Sequence, residues 1–281
     1  MKKDGALESS KGNLIRWSLY HQGESDGAPL IIFLHGFKGF KDWGFVPYTG
    51  EFLVENGFRM LAFNFSHNGV GDLPDEFTEL DKFRDNTFSL ELEEALEIIE
   101  ACRSGGLDGL KPVDWLGLIG HSRGGGIALL AASQSGGKVD AVCTWAAVSR
   151  FARYPVHVID KWREQGYLDV PNARTGQIMQ LGWNLHADLL DHMHDKLNIR
   201  QAVEHSLYPL CVIHGSEDEA VPLDDAIQIV AWAGHKRVTF HQMPTGHTFG
   251  ARHPWQGPND TLQEVWEETA RFFQTHSRRT H

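Results

Sequence analysis

One five-residue segment constrains the fold of this chain more than any other: Gly120-His121-Ser122-Arg123-Gly124. It follows an apolar run at 113–119, typical of a strand buried on both faces, and precedes a small-residue, helix-like run at 124–132. A Gly-x-Ser-x-Gly turn between strand and helix exposes its serine above the sheet and needs glycine where side chains would collide. The bare pattern also arises by chance, so its weight comes from these flanks. Ser122 is therefore the candidate nucleophile.

A second glycine-containing loop offers hydrogen-bond donors for such a serine. The wholly apolar run at 30–34 ends in His35-Gly36-Phe37-Lys38-Gly39. A loop of this kind can direct backbone N–H groups at developing negative charge. We assign the amide of Phe37 as one oxyanion donor and the amide of Arg123 as the other. The alternative is an ordinary turn at the end of a strand.

A later loop carries the candidate acid. The apolar run at 210–213 predicts another buried strand, and the loop after it holds Glu217, Asp218 and Glu219. A carboxylate in this place can orient an imidazole and stabilise its charged form. The residue pattern alone does not rank the three acids, because each of them could be a solvated loop charge.

The candidate base comes from the next loop. His247 directly follows the last predicted strand, 237–243, and fits the chain order nucleophile, acid, histidine. His253 lies in a later proline-flanked turn and is the alternative. His241 falls within the strand itself, and a histidine near the end of a chain with 16 histidines is no evidence by its type alone.

These segments together resemble the α/β-hydrolase superfamily. The motifs are His35-Gly36-Phe37, Gly120–Gly124, His214-Gly215-x-x-Asp218-x-x-Val221-Pro222 and Gly246-His247. The resemblance covers residues from about 13 to 275. It implies an α/β-hydrolase fold, a mainly parallel central sheet with helices on both faces and a small helical cap. It also implies a triad of Ser122, Asp218 and His247, and this is the reason to select Asp218.

The finer resemblance is to the carboxylesterase group that includes cinnamoyl and feruloyl esterases. It rests on the short loop 36–41 and the modest insert before the acid. Some prolyl-oligopeptidase-like hydrolases are similar too. Two features depart from relatives: Arg123 places a charge beside the nucleophile, and residues 64–72 replace an Arg-Gly-His-Gly-like turn. The sequence does not determine how the Arg123 charge affects the electrostatic field at the nucleophile. Residues 64–72 imply only a loop near the site.

Composition agrees with a soluble enzyme. A chain of 281 residues that is 41% hydrophobic can bury one substantial core, so we expect a single domain over 1–281. The net charge of −11 argues against nucleic acid and anionic membranes as partners. No signal-peptide core or transmembrane run occurs. The three cysteines (Cys102, Cys143 and Cys211) fall in predicted buried segments, which favours reduced packing residues and a cytoplasmic location.

Alternating strand and helix patterns support a mainly parallel sheet. Strands are expected at 13–21, 30–34, 59–65, 113–119, 139–145, 210–213 and 237–243, and helices at about 43–56, 88–102, 124–132 and 224–231. A last helix is predicted to begin with a capping box at Thr261 and Glu264. Both termini are expected to be frayed.

Residues 150–206 interrupt this alternation and are predicted to form a cap over the open top of the sheet. Tyr154, Trp162 and Trp183 are its candidate substrate-contacting residues. The alternative is a helical hairpin that never touches substrate. Asp188, His192 and Asp195 would share one helical face and could be considered as metal ligands, but their spacing matches no zinc-enzyme pattern. We predict neither metal nor cofactor.

The sequence as a whole predicts a serine hydrolase acting on small to medium carboxylic esters through an acyl-enzyme. A peptidase or acyl thioesterase with the same triad is the alternative, because the triad does not choose among leaving groups. A small-molecule receptor without turnover is a further alternative, since fold alone never fixes function. The partner is then a small-molecule ester, and a homodimer is compatible with the sequence.

Overall fold

The computed structural model describes residues 1–23, 27–234 and 238–277. The strands are β1 (Lys2–Glu8), β2 (Leu14–Tyr20), β3 (Leu30–Leu34), β4 (Arg59–Phe63), β5 (Leu116–His121), β6 (Ala141–Trp145), β7 (Tyr167–Pro171), β8 (Ile178–Gly182), β9 (Leu210–Gly215) and β10 (Val238–Met243). The helices are α1 (Val46–Glu55), α2 (Leu80–Asp85), α3 (Phe88–Ser104), α4 (Arg123–Gln134), α5 (Val156–Gln165), α6 (Trp183–His192), α7 (Ile199–Glu204), α8 (Leu223–Ala233) and α9 (Asp260–Ser277).

Eight strands form one sheet in the order β1-β2-β4-β3-β5-β6-β9-β10. β2 pairs antiparallel with β1 and β4, whereas the other neighbouring pairs are parallel. The predicted mainly parallel sheet with helices on both faces is confirmed. Because β3, β5, β9 and β10 run the same way, the loops at their carboxyl ends meet at one edge of the sheet.

The sheet separates two hydrophobic cores, and β3 explains why its sequence is apolar throughout. Leu30, Ile32 and Leu34 pack with residues of α3, α4 and α8 on one face. Ile31 and Phe33 pack with residues of α1 and α9 on the other. Each such side chain contributes about 1.5–3 kcal/mol when it is removed from water. A polar residue at any of the five positions would therefore destabilise one of the two cores.

The amino terminus is not frayed, which corrects the sequence-based expectation. Residues 2–8 form β1, whose side chains alternate between exposed and half-buried along the sheet edge. Lys2 lies 3.0 Å from Asp42, and Lys3 lies 2.9 Å from Asp108. The polar sequence hides this strand, because charged residues are typical of edge strands. The expected fraying of the last residues, 278–281, lies outside the described residues, and so does Arg237 at the start of the last predicted strand.

The predicted capping box of the last helix is wrong. Thr261 lies inside α9, and the Asn259 side chain accepts the Leu262 amide at 3.0 Å. Asparagine caps a helix as well as threonine does, so the true start lies two residues earlier. One face of this helix is buried, and it includes Leu262, Val265, Trp266, Thr269 and Phe273.

The insert after β6 is not purely helical, which corrects the expected helical cap. β7 and β8 form an antiparallel hairpin within it, separate from the main sheet. The two strands read Tyr-Leu-Asp-Val-Pro and Ile-Met-Gln-Leu-Gly, which is too short and too irregular an alternation to recognise. The hairpin docks on the main body: Lys38 donates to Pro171 O at 3.0 Å and Arg174 donates to Asp75 O at 2.7 Å.

Two further expectations concern cysteines and membranes. Cys102, Cys143 and Cys211 are buried and form no disulfide, as predicted from their apolar surroundings. Over the described ranges, none of the helices combines the length and the apolar character needed to cross a bilayer.

Candidate active site

Ser122 occupies a one-residue turn between β5 and α4. Its backbone has φ 58° and ψ −121°, a conformation rare for any residue other than glycine. A Cβ on Gly124 would lie 2.4 Å from the carbonyl oxygens of Leu34 and His35, and one on Gly120 would lie 2.5 Å from Gly124 O. These distances are too short for any side chain, so both glycines are required by the close approach that the motif predicts.

The structure brings together the three side chains selected from the sequence. His247 Nε2 lies 2.9 Å from Ser122 Oγ, and His247 Nδ1 lies 2.7 Å from Asp218 Oδ2. The loop after β5 supplies the serine, the loop after β9 the acid and the loop after β10 the histidine. A carboxylate that accepts from Nδ1 leaves Nε2 free to accept a proton, so the arrangement can activate the serine hydroxyl.

Asp218 is the acid of its loop that faces His247. Its Oδ1 accepts the amides of Ala220 and Val221 at 2.9 and 2.8 Å, and its side chain is fully shielded from solvent. Burial by itself would raise the pKa of Asp218, but the hydrogen bonds from His247 and from the backbone hold it below its usual value. Asp218 therefore stays ionised where it can orient the imidazole.

The competing acids and bases lie elsewhere. Glu217 and Glu219 are exposed loop residues. His253 Nδ1 accepts a hydrogen bond from the Gly44 amide at 3.0 Å. His241, which lies in β10, is 3.6 Å from Glu268 of α9. In the part of the chain that the structure describes, none of these four side chains forms a hydrogen bond or ion pair with Ser122 or His247, although Glu219 and His253 line the cavities beside them.

Two further histidines, His121 and His214, support this arrangement, although no role was predicted for them. His121 Nε2 donates to the carbonyl of His247 at 3.0 Å, and burial lowers the pKa of His121 to about 3, so its ring stays neutral. His214 is buried and donates from Nε2 to Val221 O at 2.8 Å, with the same nitrogen 3.5 Å from Asp218 Oδ2. Both belong to the recognised motifs, at the positions beside Ser122 and four residues before Asp218, which was the available signal.

The loop after β3 lies against the nucleophile. A Cβ on Gly36 would lie 2.8 Å from Ser122 Cβ and 3.1 Å from His121 O, so the loop approaches at a distance only glycine allows. Within the described ranges, neither the amide of Phe37 nor that of Arg123 donates to a protein acceptor. Both amides are therefore open to an oxygen atom of a bound molecule.

Replacing Gly36 by alanine tests this close approach. The added methyl must displace either the nucleophile or the loop, and misplacement by about 1 Å can lower a rate about 100-fold. We expect Gly36→Ala to lower kcat by about that factor with little loss of thermal stability. Gly246→Ala is the matched control, because a Cβ there meets only Glu217 O at 3.7 Å. A Gly36→Ala enzyme with the kcat of the control would contradict this interpretation.

Residues 64–72, which follow β4 and replace an Arg-Gly-His-Gly-like turn, form hydrogen bonds with the loop after β3. Asn64 Oδ1 accepts the Lys41 amide at 2.7 Å, and the Phe65 amide donates to His35 Nε2 at 3.3 Å. Beneath it, Glu94 of α3 accepts the Ser66 amide at 2.8 Å and also its hydroxyl. The segment therefore acts as a support between α3 and the loop after β3.

Glu94 should make folding stability depend on pH. Burial raises its pKa from 4.5 to about 7. Between these values the unfolded chain releases the proton while the folded chain keeps it, so stability falls as pH rises from 4.5 to 7. At about 1.4 kcal/mol per pKa unit, the loss is at most about 3.5 kcal/mol.

Urea unfolding at pH 5 and pH 8 measures this contribution. We expect Glu94→Gln to gain stability relative to the wild type as pH rises. Glu93→Gln, which removes a half-exposed carboxylate from the same helix, should show no such gain. An equal Glu94→Gln difference at both pH values would mean that Glu94 titrates alike in both states.

Two cavities meet at Ser122 and His247. One, of about 290 Å³, is lined by aromatic residues that include Phe40, Trp43 and Phe77 and by residues 172–174 of the hairpin turn. The other, of about 540 Å³, shares Phe37, Ser122 and His247 with the first and is otherwise lined by different residues. A scissile bond at Ser122 would thus have space for groups in two cavities.

The predicted substrate-contacting residues of the insert divide between these regions. Tyr154 lines the larger cavity. Trp162 is buried with its Nε1 donating to Leu181 O at 3.0 Å, and Trp183 packs on it with ring centroids 6.1 Å apart. Neither tryptophan lines either cavity, so both are core residues of the insert. The insert reaches the site through Tyr154 at the larger cavity and through residues 172–174 at the smaller one, and the sequence gave no reason to select 172–174.

Of the three residues considered as metal ligands, Asp188 lies on α6 and has a structural role. Asp188 accepts the Ser89 amide at 2.9 Å, in the first turn of α3. Carboxylates stabilise helix amino termini in this way. In the part of the chain that the structure describes, no group of three or more His, Cys, Asp or Glu side chains is arranged to hold a metal ion.

The comparisons with known proteins identify the fold of this chain. The family model of the alpha/beta hydrolase fold matches residues 29–207, more than half of the chain. The chain therefore belongs to the α/β-hydrolase fold family. Membership supports hydrolase activity of the α/β-hydrolase type. No curated protein matches the sequence.

Three solved structures illustrate the similarity of this chain to known proteins. Est1E from Butyrivibrio proteoclasticus, with ferulic acid bound, has 20% identity and a TM-score of 0.69, with 97% of this chain and 98% of that chain covered. The esterase domain of a Rhodothermus marinus protein has 19% identity and a TM-score of 0.64, with coverage of 98% and 99%. Paleococcus ferrophilus monoacylglycerol lipase has 16% identity and a TM-score of 0.66, with coverage of 93% and 99%. At these identities the likeness shows the fold.

Proposed function

We propose that this protein hydrolyses small to medium carboxylic esters, with Ser122 as nucleophile, His247 as general base and Asp218 as the group that orients His247. The continuous hydrogen-bonded chain Asp218–His247–Ser122, at 2.7 and 2.9 Å, carries the proposal. Both distances are within the range in which a proton can pass.

The reaction proceeds in two halves. Ser122 Oγ attacks the carbonyl carbon while His247 Nε2 takes its proton, and the oxyanion accepts hydrogen bonds from the amides of Phe37 and Arg123. The C–O bond to the alcohol then breaks as His247 protonates the leaving oxygen. A water molecule repeats the attack on the acyl-enzyme, with His247 again as base, and releases the acid and free Ser122. Apart from the ester and the water molecule, these steps use only groups of this chain.

Ester specificity rests on the surroundings of the serine. The two cavities that meet at Ser122 can take the acyl and alcohol parts, and their volumes of about 290 and 540 Å³ suit a small to medium ester. Solved structures similar to this chain include an esterase domain and a monoacylglycerol lipase. Thioesters and amides are the competing substrates, because the same triad can cleave all three.

Three substrates of one acid separate these possibilities. The ethyl ester, the S-ethyl thioester and the N-ethyl amide of the same acid differ only at the leaving atom, and acid release is measured for each at equal pH. We expect the highest kcat/KM for the ester and none detectable for the amide. Faster cleavage of the amide or the thioester would replace the ester proposal with the peptidase or thioesterase alternative.

We also propose a cytoplasmic location and a small-molecule partner. The location is supported by the three buried cysteines without disulfides. The partner follows from cavities of small-molecule size beside Ser122.

A further inference from the structure

The side chain of Arg123 lies between two aromatic rings at the edge of the candidate active site. Its guanidinium carbon is 4.4 Å from the centroid of the Phe37 ring and 5.0 Å from that of Phe88. Its Nη1 lies 3.3 Å from Glu91 Oε1, and the two side chains are 11% and 6% exposed. The charge beside the nucleophile is thus paired and largely shielded from solvent, and Arg123 also lines the larger cavity.

This pair is held firmly in place. Glu91 Oε1 also accepts from Asn86 at 2.7 Å. Phe83 stacks on the Phe37 ring, with centroids 5.7 Å apart and ring planes 28° apart. A cation that lies over an aromatic ring and is shielded from water is attracted to it more strongly than an exposed one. The Phe37 ring therefore packs against both the Arg123 guanidinium and Phe83.

Phe37 and Arg123 are also the two residues whose free amides are assigned to the oxyanion. We propose that the Arg123 side chain, anchored by Glu91 and stacked on Phe37, is a positioning residue that fixes the distance between these two amides. The inference rests on the proposed hydrolytic function. The loop after β3 and the turn after β5 come from distant parts of the chain, and this stacking joins them through side chains at the residues whose backbone must be aligned.

Kinetics of Arg123 variants test the inference. Arg123→Gln keeps the backbone amide but removes the cation, so it should lower kcat by about 10- to 100-fold, as expected when preorganised donors lose alignment, with KM nearly unchanged. The rate of phosphonylation by a fluorophosphonate probe should fall in parallel, because it needs the same amides. Arg123→Lys retains a cation that can pair with Glu91 and should recover kcat to within about threefold of the wild type.

A second variant distinguishes positioning through Phe37 from a direct effect on substrate. Phe37→Leu removes the ring and keeps the amide. If Arg123 acts through this ring, its substitution in the Phe37→Leu background should cost much less than in the wild type, because interacting sites are not additive. Losses in kcat that simply multiply would overturn the inference.

Arg103→Gln controls for loss of a shielded guanidinium. Arg103 is 17% exposed and lies 2.6 Å from Asp140, and it lines neither cavity at Ser122. It should lower thermal stability and leave kcat near that of the wild type. A folded Arg123→Gln enzyme with wild-type kcat, beside an inactive Ser122→Ala, would overturn this inference alone. A folded wild type that neither reacts with the probe nor cleaves esters would overturn the proposed function and this inference with it.

Discussion

Ser122→Ala is expected to abolish ester hydrolysis, with kcat lowered by a factor on the order of 10⁴ to 10⁶. In the wild type, Ser122 Oγ lies 2.9 Å from His247 Nε2. Alanine keeps the backbone but has no side-chain oxygen to attack the carbonyl carbon or to donate a proton to His247. Only binding and the two oxyanion amides would remain, and these leave a small residual rate over the reaction in water. Initial rates on the ester, beside melting curves, measure the effect.

The fold of this variant should be intact, because alanine at φ 58° is strained much as serine is. Ser18→Ala is a matched control: Ser18 is buried and donates to Asp4 at 2.5 Å in the first two strands. It should lower stability and leave kcat near the wild-type value. Substantial turnover by a folded Ser122→Ala enzyme would exclude the proposed mechanism.

Asp218→Asn is expected to lower kcat by about 10⁴-fold while the binding of substrate changes little. The backbone amides of Ala220 and Val221 donate to Oδ1, so the asparagine must place its carbonyl oxygen there and turn its NH₂ group toward His247. Nδ1 of the imidazole would then have to accept, which puts the proton on Nε2. A histidine in that tautomer cannot take the proton of Ser122.

The other acids of the same loop give the comparison. Glu217→Gln removes an exposed carboxylate that forms no hydrogen bond or ion pair with Ser122 or His247 among the described residues, and it should change kcat by a small factor. Glu219→Gln should also keep most of kcat, but Glu219 lines the larger cavity, so this variant can change KM. Asp218→Asn should also leave phosphonylation slow, since that step needs the same general base. If Glu219→Gln lost as much activity as Asp218→Asn, the acid would be misassigned.

The sequence predicted the site best where close packing leaves few choices. The turn at 120–124 could be recognised because a Cβ at Gly120 or Gly124 would collide with the backbone, and this need is visible in the residue types. The all-apolar strands such as β3 were equally clear, because they are buried on both faces. Asp218 was different: three acids in one loop have the same local pattern, and only the direction of each side chain separates them.

Features that depend on distant partners could not be predicted. The edge strand β1 has a polar sequence and forms by pairing with β2. The effect of the Arg123 charge could not be predicted, because its partner, Glu91, lies on α3, well before Arg123 in the chain. The hairpin at 167–182 consists of two short strands whose turn reaches the smaller cavity, and nothing in its composition indicates that contact.

Covalent labelling at Ser122 is the measurement that bears most directly on the proposed mechanism. The folded protein is treated with a fluorophosphonate, digested, and the modified peptide is identified by mass spectrometry, beside Ser122→Ala. We expect a single adduct on the peptide that contains Ser122, formed as esterase activity disappears, and none in the variant. An adduct on another residue, or full inactivation of esterase activity with Ser122 unmodified, would contradict a nucleophilic Ser122.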